Sequence, residues 1–258
     1  MRKTFLLIHG AWVTPACWDD FRGLLEQHGH TCIVPPWPFM DRPVEALRRD
    51  PDPALARLTI RDLVDHFDRL IRALPEPPVL VGHSFGGLIV QMLLDRGLGA
   101  AGVAIDAGPP RGVLPSLRAI RSAAPVLFAP FGWRRILTMS FDAFATTFAN
   151  TLPAGAMAQA YERHIVPAPG RIYFQAALGI GNGVDFANPA RAPLLLVAGA
   201  ADRTSTLGMV QAMWRKHRRS PARTDLKSFE GRSHWLIAEP GWEEVAQASL
   251  DWALAVTG

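Results

Sequence analysis

The chain has 258 residues, of which 49% are hydrophobic, and its formal net charge at pH 7 is +4. This length allows one large core, and no apolar run is long enough to cross a membrane. The weak positive charge, without interleaved aromatic residues, argues against a nucleic-acid partner. The two cysteines, Cys17 and Cys32, do not have the spacing of a metal or redox site. The apolar run after Lys3 is too short for a signal peptide, so we expect a cytoplasmic protein.

Short apolar runs alternate with amphipathic segments in the first part of the chain. Strands are predicted at residues 4–8, 31–34, 77–81 and 102–105, and helices at residues 17–28, 58–74 and 88–94. Residues 37–56 form a proline-rich excursion, which is predicted to be a functional loop or poorly ordered because it is longer than most connections. Strands that alternate with helices are typical of a parallel sheet with helices on both faces.

The pattern changes after Gly108-Pro109-Pro110. Residues 112–186 do not alternate between strand and helix but contain helical stretches rich in aromatic side chains. The alternation then resumes, with strands at 193–198 and 224–229 and helices at 207–216 and 242–256. We therefore predict an α/β protein with a six-stranded parallel sheet. Residues 1–111 and 187–258 would form its core domain, and residues 112–186 an inserted helical block.

The strongest chemical signal is the hexapeptide Gly82-His83-Ser84-Phe85-Gly86-Gly87, which joins the third strand to the next helix. Gly82 and Gly86 flank Ser84 in the pattern G-x-S-x-G, which is typical of a strained turn that exposes the serine. Glycine is needed on both sides because a Cβ there would collide with the turn. The free N–H groups at the start of the helix would stabilise a developing oxyanion. The alternative is an ordinary glycine-rich turn with a buried serine.

Two further polar residues follow strands of the predicted sheet: Asp202 follows the fifth strand and His234 the sixth. The carboxyl ends of parallel strands lie along one edge, where ligands bind. A histidine there can act as a general base for a serine, and a carboxylate can orient the histidine. Asp106, at the end of the fourth strand, is the alternative acid, in which case Asp202 would cap the following helix. His9 and His83 are expected to support their own loops.

The chain order of Ser84, Asp202 and His234 resembles the triad of α/β hydrolases, and specifically of lid-bearing, esterase-like members. The resemblance extends over nearly the whole chain and includes His9-Gly10-Ala11-Trp12 near the N-terminus. The absence of strands before Thr4 is similar to the shortened six-stranded form of plant methylesterases and hydroxynitrile lyases. The resemblance implies that Ser84 is the nucleophile, His234 the general base and Asp202 the acid that orients it.

The same resemblance implies an oxyanion hole formed by the backbone N–H groups of Ala11 and Phe85. A serine at position 84, where some relatives carry a nucleophilic aspartate, argues against dehalogenase and epoxide-hydrolase chemistry. Trp235 follows His234 where hydroxynitrile lyases carry a lysine, which disfavours cyanohydrin cleavage.

The inserted block lies in the chain between the fourth and fifth strands, so it would cover the triad as a helical cap. Aromatic side chains of this cap would then line an apolar pocket. The candidates, with two aromatics of the core, are Trp12, Trp133, Phe141, Phe144, Phe148 and Trp235. The alternative is that the aromatic residues of the insert form a separate hydrophobic core.

These observations predict a serine hydrolase that cleaves a small-to-medium apolar carboxylic ester through an acyl-enzyme. A thioesterase, a lactonase or a carbon–carbon bond hydrolase could use the same triad. A ligand-binding receptor or pseudoenzyme on this fold is the alternative from another class. We expect a small apolar acyl substrate and neither a metal nor an organic cofactor; a homodimer is left open.

Overall fold

A six-stranded parallel sheet forms the centre of the structure, a computed structural model that describes residues 2–258. The strands in chain order are β1 (Thr4–Ile8), β2 (Thr31–Ile33), β3 (Val79–His83), β4 (Ala101–Ile105), β5 (Ile136–Leu137), β6 (Ala168–Pro169), β7 (Leu194–Gly199) and β8 (Thr224–Phe229). The order across the central sheet is β2-β1-β3-β4-β7-β8, while β5 and β6 pair separately as a short antiparallel ribbon. The predicted α/β fold with six parallel strands is confirmed.

Burial across the sheet explains why the sequences of the central strands are continuous apolar runs. Every residue of β3, β4 and β7 is buried, because these strands have neighbours on both sides and are covered on both faces. The edge strand β8 has only one buried residue, Phe229, and therefore carries polar side chains.

Ten helices accompany the strands within residues 2–258. They are α1 (Asp19–Gln27), α2 (Val44–Arg49), α3 (Ile60–Arg72), α4 (Phe85–Asp95), α5 (Leu117–Leu127), α6 (Phe141–Ala143), α7 (Ala154–His164), α8 (Gly170–Leu178), α9 (Leu207–His217) and α10 (Trp242–Thr257). Short 3-10 turns lie at Pro15–Trp18, Pro53–Arg57 and Gly132–Arg134, and a π-helical turn at Phe144–Phe148. Helix α3 begins with a capping box between Thr59 and Asp62 and buries an apolar side that includes Phe67.

The proline-rich segment 37–56 is more regular than its sequence indicates. It contains α2 and leads into the 3-10 turn Pro53–Arg57, where the N–H of Ala54 donates to the carboxylate of Asp52. Leu47 and Leu55 anchor these two short elements in the core. The prolines set the ends of the elements and do not prevent their formation.

The segment 112–186 contains α5 to α8 and the ribbon of β5 and β6. The ribbon was not expected, since each strand has only two residues and shows no periodicity. Core contacts fix this segment in place: Trp12 donates its indole N–H to the carbonyl of Leu137, and Arg48 donates to the carbonyls of Ile165 and Tyr161. No helix among residues 2–258 has the length and apolar character needed to cross a membrane.

Candidate active site

Ser84 occupies a strained turn between β3 and α4, with φ of 56° and ψ of −120°. Side chains other than glycine rarely adopt such a positive φ, and the surrounding glycines show why it persists. A Cβ on Gly82 would collide with the backbone of Gly86, and a Cβ on Gly86 with the carbonyl of Ile8. A Cβ on Gly10 would lie 2.8 Å from that of Ser84. The close packing of three glycines thus places the serine at the carboxyl edge of the sheet.

Backbone hydrogen bonds hold the turn in this conformation. The N–H of Ser84 donates to the carbonyl of Ile105 at 3.0 Å, and the Ser84 carbonyl accepts from Leu88 at 3.1 Å and from Gly108 at 2.9 Å. The side chain is only 9% exposed and lies on the wall of a cavity.

His234 and Asp202 form a buried pair beside the same cavity. The imidazole Nδ1 lies 2.7 Å from Oδ2 of Asp202, and both side chains are buried. The other oxygen of Asp202 accepts hydrogen bonds from the N–H groups of Thr204 and Ser205. Because the carboxylate accepts at Nδ1, that nitrogen carries the proton and Nε2 is left as the basic atom. Nε2 is buried without a hydrogen-bond partner among residues 2–258, and His234 lines the cavity with Ser84.

The hydroxyl of Ser84 does not form a hydrogen bond with His234 in this conformation. Bonds between nucleophile and base are often long in unliganded enzymes and shorten when substrate binds. The arrangement therefore supplies a nucleophile and an oriented base on one cavity wall.

Asp106, the alternative acid, lies near the same nitrogen of the imidazole but farther away. Its Oδ1 accepts a hydrogen bond from the N–H of Gly199 at 2.8 Å, and its Oδ2 lies 4.0 Å from Nδ1 of His234. Burial raises the pKa of this carboxyl well above its ordinary value, and the neighbouring charge of Asp202 raises it further. The raised pKa favours the protonated form of Asp106, and Asp202 is the carboxylate within hydrogen-bond distance of the histidine.

Two other buried histidines support the site. His83 donates from Nε2 to the carbonyl of His234 at 2.7 Å, which holds the loop that carries the base. His9 donates to the carbonyl of Gly10 and accepts from the N–H of Trp37, which fixes the loop before Ala11. Burial lowers the pKa of His9 to about 4 and that of His83 well below its usual value, so both rings are neutral at pH 7.

The N–H groups expected to form the oxyanion hole lie in the loop after β1 and in the first turn of α4. Neither the N–H of Ala11 nor that of Phe85 donates to a protein acceptor among residues 2–258. Both therefore remain free to bind a substrate oxygen, and the positive end of the α4 dipole adds to the field at Phe85.

One group of side chains has metal-ligating chemistry. His83, Asp106 and His234 each place a ligand atom within 4.8 Å of the others, and all three are buried. A cation bound through Nδ1 of His234 would compete with the hydrogen bond to Asp202. The raised pKa of Asp106 disfavours the carboxylate form that a cation would need, so the cluster suits hydrogen bonding around the imidazole better than it suits a cation.

The cavity lined by Ser84 and His234 has a volume of about 120 Å³ and a largely apolar wall. Helix α5 contributes Ala119, Ile120, Ala123 and Leu127, and α8 contributes Tyr173, Ala176 and Ala177. The polar groups that reach the wall come from Ser84, Thr204, Ser205, Tyr173 and His234. The cavity thus offers an apolar space with its reactive groups at one end.

The predicted pocket residues separate into three groups. Trp12 and Phe148 line the cavity. Phe144 and Trp235 are fully buried behind Phe148, and their rings do not reach the cavity wall. Trp133 and Phe141 are 41% and 46% exposed and lie outside the lining. Their rings pack edge-on against Phe174 and Tyr161 on the outer side of the segment.

The small residues of α5 and α8 and the ring of Tyr173 also line the cavity, and they were not predicted from the sequence as pocket residues. This ring packs at 4.7 Å from Trp12 and at 5.0 Å from Phe85. The feature of the sequence that could have identified these cavity-lining helices is their alanine content, because small side chains leave space that aromatic side chains would fill.

Comparison with known proteins agrees with this geometry. Residues 5–248 match the model of the Alpha/beta hydrolase family. The chain belongs to this family. Methylesterase 8 of Arabidopsis thaliana is 31% identical over 98 residues, a match that covers 37% of this α/β hydrolase and only 34% of the relative.

Two solved structures show the same fold over almost the whole α/β hydrolase chain. Polyneuridine aldehyde esterase superposes with a TM-score of 0.69 at 16% identity, covering 98% of this chain and 100% of that one. The methylesterase MES16 from Arabidopsis gives a TM-score of 0.69 at 15% identity, covering 98% and 99%.

Proposed function

We propose that this protein is a serine hydrolase that cleaves small-to-medium apolar carboxylic esters through an acyl-enzyme. The observation that carries the proposal is the buried pair of His234 and Asp202, whose interacting atoms lie 2.7 Å apart, with His234 on the wall of the cavity that Ser84 also lines. Three segments that are distant in the sequence supply Ser84, Asp202 and His234. A purely structural role would not require a serine in the strained conformation of residue 84.

Acylation follows from the positions of the groups. The Ser84 hydroxyl attacks the ester carbonyl carbon while its proton passes to Nε2 of His234. Asp202 stabilises the imidazolium that forms. The N–H groups of Ala11 and Phe85 would donate to the oxyanion, each contributing roughly 3 kcal/mol in the transition state. The imidazolium then returns the proton to the departing alcohol, and water hydrolyses the acyl-enzyme by the reverse sequence.

The cavity limits the size of the group that it can accept. At about 120 Å³ it is slightly smaller than an engineered cavity of about 150 Å³ that binds benzene. It would therefore take an alkyl or aromatic group of roughly six carbons. The apolar wall favours an uncharged group, which agrees with the methylesterase named among the relatives.

Thioesters, lactones and carbon–carbon bonds beside a ketone remain secondary candidates because the same groups would serve them. A receptor or pseudoenzyme would use the cavity for recognition alone, and such a protein would bind apolar esters without releasing an alcohol.

Pre-steady-state hydrolysis of p-nitrophenyl esters of increasing acyl length tests the proposal. We expect a burst of p-nitrophenol close to one equivalent of enzyme, followed by slower turnover. Ser84→Ala should lose both phases. Ser205→Ala is the matched control, because Ser205 lines the same cavity but donates its hydroxyl to the carbonyl of Ala107. A folded protein that binds these esters without a burst or turnover would support the receptor alternative.

A further inference from the structure

Exposed apolar side chains are concentrated in one part of the molecule. Within residues 2–258, all but one of the large exposed apolar side chains belong to the segment 112–186; the exception is Phe39. Two of them lie on α5 and at its end: Leu117 is 86% exposed and Phe128 is 79% exposed. Apolar surface of this kind on a protein marks a site of interaction.

The exposed residues of α5 share one side of the helix. At 3.6 residues per turn, Leu117, Ile120 and Phe128 project in similar directions. The opposite side carries Ala119, Ser122 and Val126, which are buried. Just beyond the helix, the exposed rings of Phe131 and Trp133 pack 5.6 Å apart. We call this surface, defined by Leu117, Ile120, Phe128, Phe131 and Trp133, the α5 face.

Exposed arginines lie close to the residues of the α5 face along the chain, and this stretch of sequence has no acidic residue. Between residues 107 and 141 the chain has five arginines and neither aspartate nor glutamate. The arginines are Arg111, Arg118, Arg121, Arg134 and Arg135. None of them has an ion-pair partner among residues 2–258. The surface is thus both apolar and positively charged.

The cavity of the triad opens on this surface. Ile120 is 40% exposed and also lines the cavity with Ser84. Ala177 of α8 lines the cavity and is exposed as well. A molecule that covers the α5 face would therefore also cover the entrance to the cavity.

We propose that the α5 face docks on an anionic lipid surface. Leucine and aromatic side chains would enter the boundary between head groups and acyl chains, and the arginines would lie against lipid phosphates. A second copy of the chain fits less well, because a two-fold contact would set each arginine-rich patch against itself. An ester could then pass from the lipid into the cavity. That step rests on the proposed function, whereas the docking itself does not.

Co-sedimentation of the full chain with vesicles tests the docking. One set of vesicles contains phosphatidylcholine alone, and the other contains phosphatidylcholine and phosphatidylserine at roughly three to one. We expect binding to the anionic set only, and release as salt is added. Arg118→Gln with Arg121→Gln should weaken the partition coefficient roughly thirtyfold. Leu117→Asn with Phe128→Asn should weaken it at least tenfold.

Matched control variants separate this surface from general charge and hydrophobicity. Arg2 and Arg223 precede β1 and β8 at the opposite edge of the sheet, so Arg2→Gln with Arg223→Gln removes the same charge far from the cavity. Phe39→Asn removes an exposed aromatic outside the segment. Both controls should bind vesicles like the unmodified protein.

Three outcomes would overturn the docking proposal. The first is no binding of the unmodified protein to anionic vesicles, and the second is an equal loss in the control variants. The third is a dimer, seen by analytical ultracentrifugation, that Leu117→Asn with Phe128→Asn dissociates. A Ser84→Ala protein should still bind the vesicles, because docking does not need the serine. If the unmodified protein docks but does not hydrolyse esters, this proposal stands and only the proposed function is contradicted.

Discussion

Glu239 accepts two hydrogen bonds from Ser233, one from its N–H at 2.9 Å and one from its hydroxyl at 2.6 Å. Glu239 is buried, and Ser233 directly precedes His234. The same carboxylate also accepts the hydroxyl of Thr151 from the inserted segment. A single buried carboxylate therefore connects the loop of His234 to the segment that covers the cavity.

Glu239→Gln should impair this connection. An amide offers one acceptor oxygen where the carboxylate offers two, so at least one donor loses its partner. We expect the free energy of unfolding to fall by about 2 kcal/mol and kcat to fall at least tenfold, with KM little changed. Chemical denaturation and steady-state kinetics measure the two effects. Glu243→Gln, an exposed neighbour on α10, is the control, and equal effects in both variants would contradict the role of Glu239.

The two carboxyls beside His234 should contribute very differently to catalysis. Asp202→Asn should lower kcat/KM by roughly four orders of magnitude, the effect of the equivalent change in serine proteases, because the imidazole would adopt the wrong tautomer. Asp106→Asn should lower it less than tenfold, because Asp106 lies 4.0 Å from Nδ1 and its raised pKa favours an uncharged carboxyl, which an amide resembles. If the Asp106 variant proves the more damaged, Asp106 is the catalytic acid and Asp202 a helix cap.

Asp106 should also give the stability of the protein a pH dependence. Its pKa in the folded state is raised well above the unfolded value of roughly 4. The folded protein then binds the proton more tightly, so this contribution to stability is complete below pH 4 and declines as the pH rises toward the folded-state pKa.

The Asp106→Asn variant has no carboxyl at this position, so it does not lose stability in this way as the pH rises. Its free energy of unfolding, relative to that of the unmodified protein, should therefore increase from pH 5 to pH 8. Urea unfolding at several pH values measures the difference. A difference that stays constant, or that decreases with pH, would show that Asp106 is ionised in the folded protein.

The size of the preferred acyl group should depend on the small residues of α5. Ala123→Leu would fill part of the cavity, so we expect the optimal acyl chain to shorten by roughly two to three carbons. Each methylene that still fits should raise kcat/KM about fourfold. Trp133→Ala is the control, because Trp133 lies outside the lining. A preference that changes with Trp133 and not with Ala123 would place the pocket elsewhere.

Features with a local cause could be predicted from the sequence. The inner strands β3, β4 and β7 are continuous apolar runs because each is buried by its neighbours, and the turn at Ser84 requires glycine on both sides within five residues. The order of Ser84, Asp202 and His234 predicted their common sheet edge, since strand ends in a parallel sheet must lie together.

Features that depend on packing could not be predicted in this way. Asp106 and Asp202 both follow buried strands, and only the distances to His234 separate their roles. The aromatic residues of the insert gave no indication of which faced the cavity: Phe148 does, whereas Trp133 and Phe141 lie on the outer side. The alanines of α5 and α8 shape the cavity by leaving space, and empty space produces no pattern in a sequence.

The central claim is that Ser84 is a nucleophile activated by the pair of His234 and Asp202. The most direct measurement is labelling with a fluorophosphonate, followed by mass mapping of the modified peptide. The account predicts one adduct per chain, on Ser84, with labelling slowed severely in Asp202→Asn and unchanged in Ser205→Ala. An adduct on another residue, or no adduct on a folded protein, would contradict it.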